Sequence, residues 1–384
     1  MSRETAIGFN ADRARLRRVL VQPAAGEVAR EIVPRYNACD SAINPRNARR
    51  VMSDRPIDKV RNSAVTIALP PDAGGIADMV EINGALHMIG RSAIYRVQLA
   101  DEIDPQRTNI AIPNTHQKVL DYGTEFPYVR MTLMIARRLF RNEVLGTNFC
   151  YKTGINLAYE ALQELAAMHD IRKSLSTHFD KIAQEVKDSL VEHRSMAVPS
   201  MGDVRGVTKA FLQKSDHLLA ALFNIVKLFY GDEIGKGMFE GLHHMICTKL
   251  GDDDPFSRFL EAALPFLTFV RNARNGVEHP DRTKSVKVAD IRLLPSGMLN
   301  PPTVEVIHPK TPQPPVPLLA LMEHIADQLA TVFEFMLAQL CNANVRPFAG
   351  MPLGVVEYTE DHQKNFKCRY GYATQMGDQN VPFG

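Results

Sequence analysis

A run of apolar residues at helical spacing, just before the midpoint of the 384-residue chain, most constrains its fold. From Ile155 to Leu190 the apolar positions follow one another in steps of three and four for about ten turns. They are Ile155, Tyr159, Leu162, Leu165, Met168, Ile171, Leu175, Phe179, Ile182, Val186 and Leu190. An α-helix brings positions at this spacing onto one face. The pattern therefore predicts one long amphipathic helix or two collinear helices.

The same spacing predicts four more helices after this stretch. They run from Val204 to Tyr230, Gly237 to Leu250, Phe256 to about Glu278 and Leu318 to Asn342. Asp254 and Pro255 supply an N-cap acid and a first-turn proline for the third of them. Val286 to Val306 predicts an inserted β-hairpin. Seven prolines between Pro301 and Pro317 then predict a stiff connector.

The first 150 residues predict a mixed α/β domain with no phosphate-binding glycine loop. The expected elements are a basic helix (Asp12 to Leu20), a strand (Ala64 to Leu69), a hairpin (Met79 to Ile89 with Ser92 to Leu99), an ordered loop (Asp101 to Asp121) and a helix (Phe126 to Phe140). At the other end of the chain, Gly354 to Thr359 and Asn365 to Thr374 are strand-like.

These patterns divide the chain into four parts. Residues 1–150 form the mixed α/β domain, whose role stays unassigned, and residues 151–200 form a long amphipathic helical connector. Residues 201–345 form a helical bundle with the inserted hairpin, and residues 346–384 form a β-rich tail. The predicted fold is mainly α.

Composition excludes some classes of protein. Apolar residues make up 45% of the chain and charged residues 23%, which is ordinary for a globular protein. The apolar runs are too short to cross a bilayer, and the N-terminus lacks the layout of a secretion signal. The five cysteines form no C-x-x-C pair, which predicts reduced thiols and no zinc site. We therefore expect a cytoplasmic protein with no membrane contact, no metal and no cofactor.

Charge is uneven along the chain. The net charge is only +2, but residues 1–61 carry 13 Lys and Arg against 7 Asp and Glu. Such a positive segment can hold a phosphate backbone, and it can equally be the solvated face of an amphipathic helix.

A polar cluster follows the apolar helical stretch that begins at Phe256. On an uninterrupted helix Arg271, Asn275 and His279 lie at i, i+4 and i+8 and share one face. Gly276 weakens the last turn, and Pro280 disfavours helical geometry for the residue before it. The helix is therefore expected to fray there and to leave the imidazole at its C-terminal end.

The side chains of this cluster suit RNA cleavage without a metal. His279 can take the proton from a ribose 2′-OH, and Arg274 can neutralise the charge that develops on the phosphoryl oxygens. Asn275 can bind the phosphate or orient His279, and Arg271 can add a second phosphate contact. The predicted catalytic residues are Arg274, Asn275 and His279, with Arg271 as a substrate-binding residue.

The sequence Arg274-Asn275-x-x-x-His279 resembles the R-N-x-x-x-H signature of HEPN-domain ribonucleases, which are small helical bundles of bacterial defence and toxin systems. The resemblance covers roughly Met201 to Val345. It implies a metal-independent endoribonuclease whose RNA site forms where two motifs meet across a homodimer. Some family members carry a modified tyrosine two residues after the histidine, and here Asp281 stands in that position. The sequence identifies neither the RNA nor a regulatory protein partner.

Two alternatives remain open at this point. The bundle can be a non-catalytic HEPN-like module that binds RNA or protein as a dimer. It can also only dimerise, in a structural or signalling protein whose N-terminal domain senses a ligand. If the motif is purely structural, Arg271 or Arg274 makes an ordinary salt bridge to Glu278 or Asp281, and His279 with Pro280 ends the helix. The other histidine candidates are weaker: the pair His243 and His244 is expected at or near the surface, and His308 is expected to end a strand.

Overall fold

The computed structural model describes residues 55–62, 74–146, 149–189, 195–376 and 379–383. About 54% of the described residues are helical and 19% are in strands, so helices dominate and several small antiparallel sheets accompany them. The helix predicted at Asp12 to Leu20, the strand predicted at Ala64 to Leu69 and most of the basic segment 1–61 lie outside the described residues.

A four-stranded antiparallel sheet forms the first large element. Its strands are β1 (Ile76–Ile82), β2 (Ala85–Gly90), β3 (Ile94–Gln98) and β4 (Thr115–Leu120), in the order β1-β2-β3-β4. The predicted hairpin around Gly90 and Arg91 is confirmed as β2 and β3. The expectation of one run from Met79 to Ile89 is wrong, because Asn83 and Gly84, at φ 50° and 75°, form a two-residue turn inside it.

Short helices precede, interrupt and follow this sheet in the sequence. They are α1 (Pro56–Arg61), α2 (Ala100–Ile103), α3 (Pro127–Val129), α4 (Ile135–Leu139) and α5 (Asn142–Leu145). A π-helical segment, Arg130–Met134, joins α3 to α4, so the helix predicted from Phe126 to Phe140 is confirmed with a wider turn inside it. The predicted loop Asp101 to Asp121 is wrong at both ends, where α2 and β4 lie.

The long helices follow the predicted bounds closely. They are α6 (Tyr151–Ser189), α7 (Val204–Tyr230), α8 (Phe239–Leu250) and α9 (Pro255–Glu278), with a 3-10 turn at Gly231–Glu233. The periodic stretch from Ile155 forms one helix and not two. Asp254 caps α9 by accepting a hydrogen bond from the Phe256 backbone N–H at 2.8 Å.

The insertion after α9 is larger than the predicted hairpin. It contains β5 (Ser285–Ala289), β6 (Arg292–Leu293), β7 (Leu299–Asn300), β8 (Thr303–Ile307) and β9 (Gln313–Pro317). Three strands form one sheet in the order β5-β8-β9, and β6 pairs with β7. The proline-rich connector thus contains an edge strand, a position that tolerates missing N–H donors. The last long helix, α10 (Leu318–Asn344), follows at once.

The chain ends in a second small sheet. Strands β10 (Gly354–Glu357), β11 (Tyr370–Met376) and β12 (Gln379–Pro382) pair in that order, and α11 (Glu360–Phe366) connects the first two. Part of the strand predicted from Asn365 is therefore the end of a helix.

The contacts divide the chain into two units. One is helical and includes Glu160–Asn344, with the sheet between α9 and α10. The other combines the described residues before Glu160 with those after Asn344. The division falls inside α6. The domain limits at 150, 200 and 345 stay predictions. No helix in the described ranges has the length and apolar character needed to cross a membrane.

Candidate functional site

The predicted motif lies at the C-terminal end of α9. The helix ends at Glu278, and His279 has the non-helical angles φ −132° and ψ 63°. Its backbone N–H donates to the Asn275 carbonyl oxygen at 2.8 Å. The imidazole is therefore at the helix end, as predicted, because the following Pro280 disfavours α geometry here. The predicted helix end at about Glu278 is confirmed, and the helix stays regular through Gly276, the residue expected to weaken its last turn.

Gly276 stays helical because it packs against the insertion. It is buried, and a Cβ atom placed on it would lie 3.4 Å from the carbonyl carbon of Ser285 at the start of β5. A Cβ atom here would be in ordinary van der Waals contact with β5, so the position accepts a small residue and has no room for a large one. The residue that was expected to weaken the turn instead fixes it to the neighbouring sheet.

Arg274 and Asn275 are in direct contact. The Nη1 group of Arg274 donates a hydrogen bond to Oδ1 of Asn275 at 3.1 Å. The Nε atom of the same guanidinium lies 3.5 Å from Oδ2 of Asp216 on α7. This second contact is an ion pair without hydrogen-bond geometry, because Nε is buried with no hydrogen-bond partner among the described residues. About a third of each side chain is exposed, 32% for Arg274 and 30% for Asp216.

Glu278 fastens the last turn of α9 to α7. Its Oε2 atom lies 3.1 Å from Nζ of Lys209, and the side-chain amide of Gln213 donates to Oε1. The hydrogen bond from Lys209, with a smaller contribution from Gln213, lowers the pKa of the Glu278 carboxyl. Glu278 therefore pairs with a lysine on the neighbouring helix, and the salt bridge considered between it and Arg274 is not the one that forms.

Asp281 organises the turn that leaves the motif. Its Oδ1 atom accepts hydrogen bonds from the Thr283 N–H at 2.7 Å, the Thr283 hydroxyl at 2.8 Å and the Lys284 N–H at 2.9 Å. The Thr283 backbone N–H, and next its hydroxyl, lower the pKa of Asp281 to about 2. Asp281 thus has a structural role in this turn.

His279 and Arg271 are less constrained. The His279 side chain is exposed, and within the described ranges no hydrogen bond or ion pair holds it. Arg271 is half-buried and forms no ion pair with any described residue. The structure thus joins Arg274 to Asn275 directly and leaves His279 and Arg271 free to meet a ligand.

The insertion adds groups that the sequence did not indicate. Nδ2 of Asn272 donates to Oγ1 of Thr311 at 3.1 Å, and Thr311 contacts Nδ1 of His308 at 3.2 Å. As predicted, His308 directly follows a strand, β8. No local pattern could reveal its proximity to α9, because the contact depends on how β5 and β8 pair.

A separate groove lies between α6 and α7, with a volume of about 320 Å³. Its lining residues are Glu160, Gln163, Glu164, His217, Ala220, Ala221 and Asn224. Glu164 is neutralised there by Lys214 at 3.1 Å and faces Nδ1 of His217 at 3.6 Å. The remaining carboxylate of the lining, that of Glu160, makes this groove unsuited to a phosphate.

No group of three or more His, Cys, Asp and Glu side chains that could hold a metal occurs among the described residues. His243, one of the two adjacent histidines, contacts Sγ of Cys247 at 3.3 Å on the same helix. In comparisons with known proteins, the chain significantly matches no family model, no curated protein and no solved structure.

Proposed function

We propose that the protein is a metal-independent endoribonuclease of the HEPN type that acts in the cytoplasm in a defence or toxin context. The observation that carries this proposal is the grouping of Arg274, Asn275 and an exposed His279 at one helix end. The exposed part of the guanidinium, the amide and the imidazole can meet one phosphodiester there.

The proposed reaction uses these three side chains. His279 takes the proton from a ribose 2′-OH, and the resulting oxyanion attacks the adjacent phosphorus. The bond from phosphorus to the 5′ oxygen breaks, which leaves a 2′,3′-cyclic phosphate and a 5′-OH end. Arg274 neutralises the charge that grows on the phosphoryl oxygens, and Asn275 orients the phosphate. Arg271 supplies a second cationic contact to the RNA.

A homodimer belongs to this proposal. The departing 5′ oxygen needs a proton from an acid on the side opposite the base, and one motif supplies one histidine. Two motifs that face each other across a two-fold axis supply both. The two His279 side chains would then lie within about 10 Å of each other, so that each reaches one phosphate by hydrogen bonding.

A second function, a non-catalytic HEPN-like module that binds RNA or protein, is favoured by one observation. Asp216 already faces Arg274 at 3.5 Å, so part of the guanidinium is neutralised before any ligand arrives. In this alternative the helix end binds a partner weakly and transfers no proton.

Incubation of the purified full-length chain with tRNA and mRNA in EDTA tests the proposal. We expect RNA cleavage with 2′,3′-cyclic phosphate ends, and no cleavage of DNA, which lacks the attacking hydroxyl. A requirement for magnesium, or equal cutting of DNA, would exclude the mechanism. Binding of RNA without any cleavage would support the non-catalytic module.

Variants of the motif refine the test. His279→Ala should abolish cleavage with folding intact, because the side chain is exposed. Arg274→Ala should reduce the rate by roughly 10² or more, and Arg274→Lys should rescue it only in part, since a lysine lacks the planar pair of donors. The matched control is Arg258→Ala, which removes a surface ion pair with Asp253 from the same helix. Motif variants that cut as well as wild type would refute the site.

Light scattering of the same sample tests the dimer. The proposal expects twice the mass of the 42.9 kDa chain. A strictly monomeric protein that still cleaves RNA would overturn the composite site and leave the chemistry to a single subunit.

A further inference from the structure

The strand pairing of the insertion brings the end of β8 to the motif helix. Ser285 of β5 pairs with Ile307 of β8, and the Ser285 backbone lies against Gly276 on α9. His308 directly follows Ile307. The loop after β8 therefore begins beside the last two turns of α9, although His308 and the motif are about thirty residues apart in sequence.

A hydrogen-bonded chain fixes this loop to the same helix. Asn272, which lies one turn before Gly276, donates to the hydroxyl of Thr311 at 3.1 Å. That hydroxyl lies 3.2 Å from Nδ1 of His308. Two hydrogen bonds, with Thr311 between them, thus link Asn272 of the motif helix to a second histidine within the same protomer.

The backbone of the loop determines which nitrogen of His308 carries the proton. The backbone N–H groups of Lys310 and Thr311 point at Nδ1 from 3.2 and 3.3 Å. An amide N–H can only donate, so Nδ1 must accept. A neutral imidazole that accepts at Nδ1 carries its proton on Nε2. His308 therefore presents Nε2–H as a hydrogen-bond donor, and Nε2 has no partner among the described residues.

We propose that His308 is a phosphate-binding residue of the Arg274–His279 site, donating Nε2–H to a non-bridging phosphate oxygen of the RNA backbone. This inference rests on the function proposed above. His308 transfers no proton in this role, because its Nδ1 is occupied by the two amides. It is a positioning residue that holds the RNA backbone on the face of α9 that Asn272 shares with His279, at i and i+7, while His279 performs the proton transfer.

Two substitutions separate this role from a purely structural one. Asparagine can replace the Nδ1 acceptor of histidine but lacks a group at the position of Nε2. Glutamine can place an N–H near Nε2 but loses the acceptor for the two amides. If His308 binds phosphate, His308→Asn should be the damaging change. If His308 only holds the loop, His308→Gln should be the damaging one.

The readout is the affinity for a 2′-O-methyl RNA oligonucleotide, which cannot be cleaved because its 2′ oxygen carries no proton. Because the lost hydrogen bond is to a charged oxygen, His308→Asn should bind the oligonucleotide about tenfold more weakly than wild type, or weaker still. Its melting temperature should equal that of wild type. His308→Gln should bind within about threefold of wild type. The reverse order, or two variants that bind like wild type, overturns the proposal.

The outcomes also separate this proposal from the proposed function. If wild type cleaves RNA and His308→Asn cleaves and binds equally well, the role of His308 is excluded and the proposed nuclease stands. If wild type binds the oligonucleotide but does not cleave natural RNA, the nuclease is excluded. Weaker binding by His308→Asn would then still support the phosphate contact. Wild type that neither binds nor cleaves rejects both.

Discussion

The Nε atom of Arg274 lies 3.5 Å from a carboxylate oxygen of Asp216, and the two residues belong to neighbouring helices, α9 and α7. Both side chains are about one-third exposed, so water screens their attraction. A pair of this kind contributes on the order of 0.2–1 kcal/mol. A phosphate that approaches Arg274 must compete with Asp216. Because the ion pair is weak, the phosphate can displace Asp216 at a small cost in free energy.

Asp216→Asn should therefore strengthen RNA binding. The amide keeps the shape of the side chain but removes the competing charge, and we expect up to about fivefold higher affinity at low salt. The measurement is binding of the 2′-O-methyl oligonucleotide at two salt concentrations. Asp253→Asn, which removes the same charge at the start of α9, is the control. Equal gains by both variants would show a general charge effect and no specific competition at Arg274.

Gly276 should tolerate alanine but not valine. An alanine Cβ would lie at 3.4 Å from the Ser285 carbonyl carbon, which is van der Waals contact, and alanine is favoured over glycine in a helix by about 1 kcal/mol. Urea unfolding should show Gly276→Ala equal to or slightly more stable than wild type. Gly276→Val adds two methyl groups beyond the alanine Cβ. These methyl groups must displace β5, so the variant should lower both stability and RNA affinity. A stable valine variant would contradict the close packing.

Asp281 should titrate near pH 2, well below its ordinary value of 3.8. A depressed pKa means that the stabilisation is present above pH 3.8 and is lost as the pH falls through about 2. Carbon NMR of the side-chain carboxyl measures this directly. Thr283→Ala should raise the pKa, because it removes the hydroxyl donor and leaves the two backbone donors. Titration at the ordinary value in wild type would mean that the turn does not form in solution.

Tyr230 should resist alkaline titration. Burial raises its pKa from 10.0 to about 12, while the amide of Asn344, which donates to the hydroxyl oxygen at 3.0 Å, acts in the opposite direction. The unfolded chain releases this proton at about pH 10. The contribution of the protonated Tyr230 to the free energy of unfolding is therefore complete below pH 10 and is lost as the pH rises through 12. The expected loss of unfolding free energy is about 2–3 kcal/mol.

Urea unfolding of wild type and Tyr230→Phe at pH 9 and pH 11.5 measures this contribution. Wild type should lose more stability between the two pH values than the variant, which has no phenol to ionise at this position. Because the chain has no tryptophan, absorbance near 295 nm also follows tyrosine ionisation directly. Equal pH dependence in the two proteins would contradict the burial of this hydroxyl.

The long helices were predictable because their signal is local. The apolar positions from Ile155 and the capping pair Asp254 and Pro255 each lie within one short stretch of sequence. The observed helices α6 and α9 agree with these signals. One strand boundary was predictable but missed: Asn83 and Gly84 form a turn inside an otherwise apolar run, and an Asn-Gly pair favours the positive φ angles that such a two-residue turn needs.

The motif residues were also visible in the sequence, but their partners were not. Asp216 and Lys209 lie more than fifty residues from the α9 side chains that they contact. His308 reaches the site only through the pairing of Ser285 with Ile307. Such contacts depend on the packing of whole elements, and no spacing rule within one segment encodes them.

The proline content of β9 has a consequence for association between molecules. Its five residues include Pro314, Pro315 and Pro317, so this edge strand can offer few N–H groups to another chain. Unprotected edges recruit strands from other molecules and start aggregation. Because β9 lacks most of its N–H donors, a strand from another molecule cannot pair with it fully. The prolines therefore prevent the sheet beside the motif from extending into a larger one.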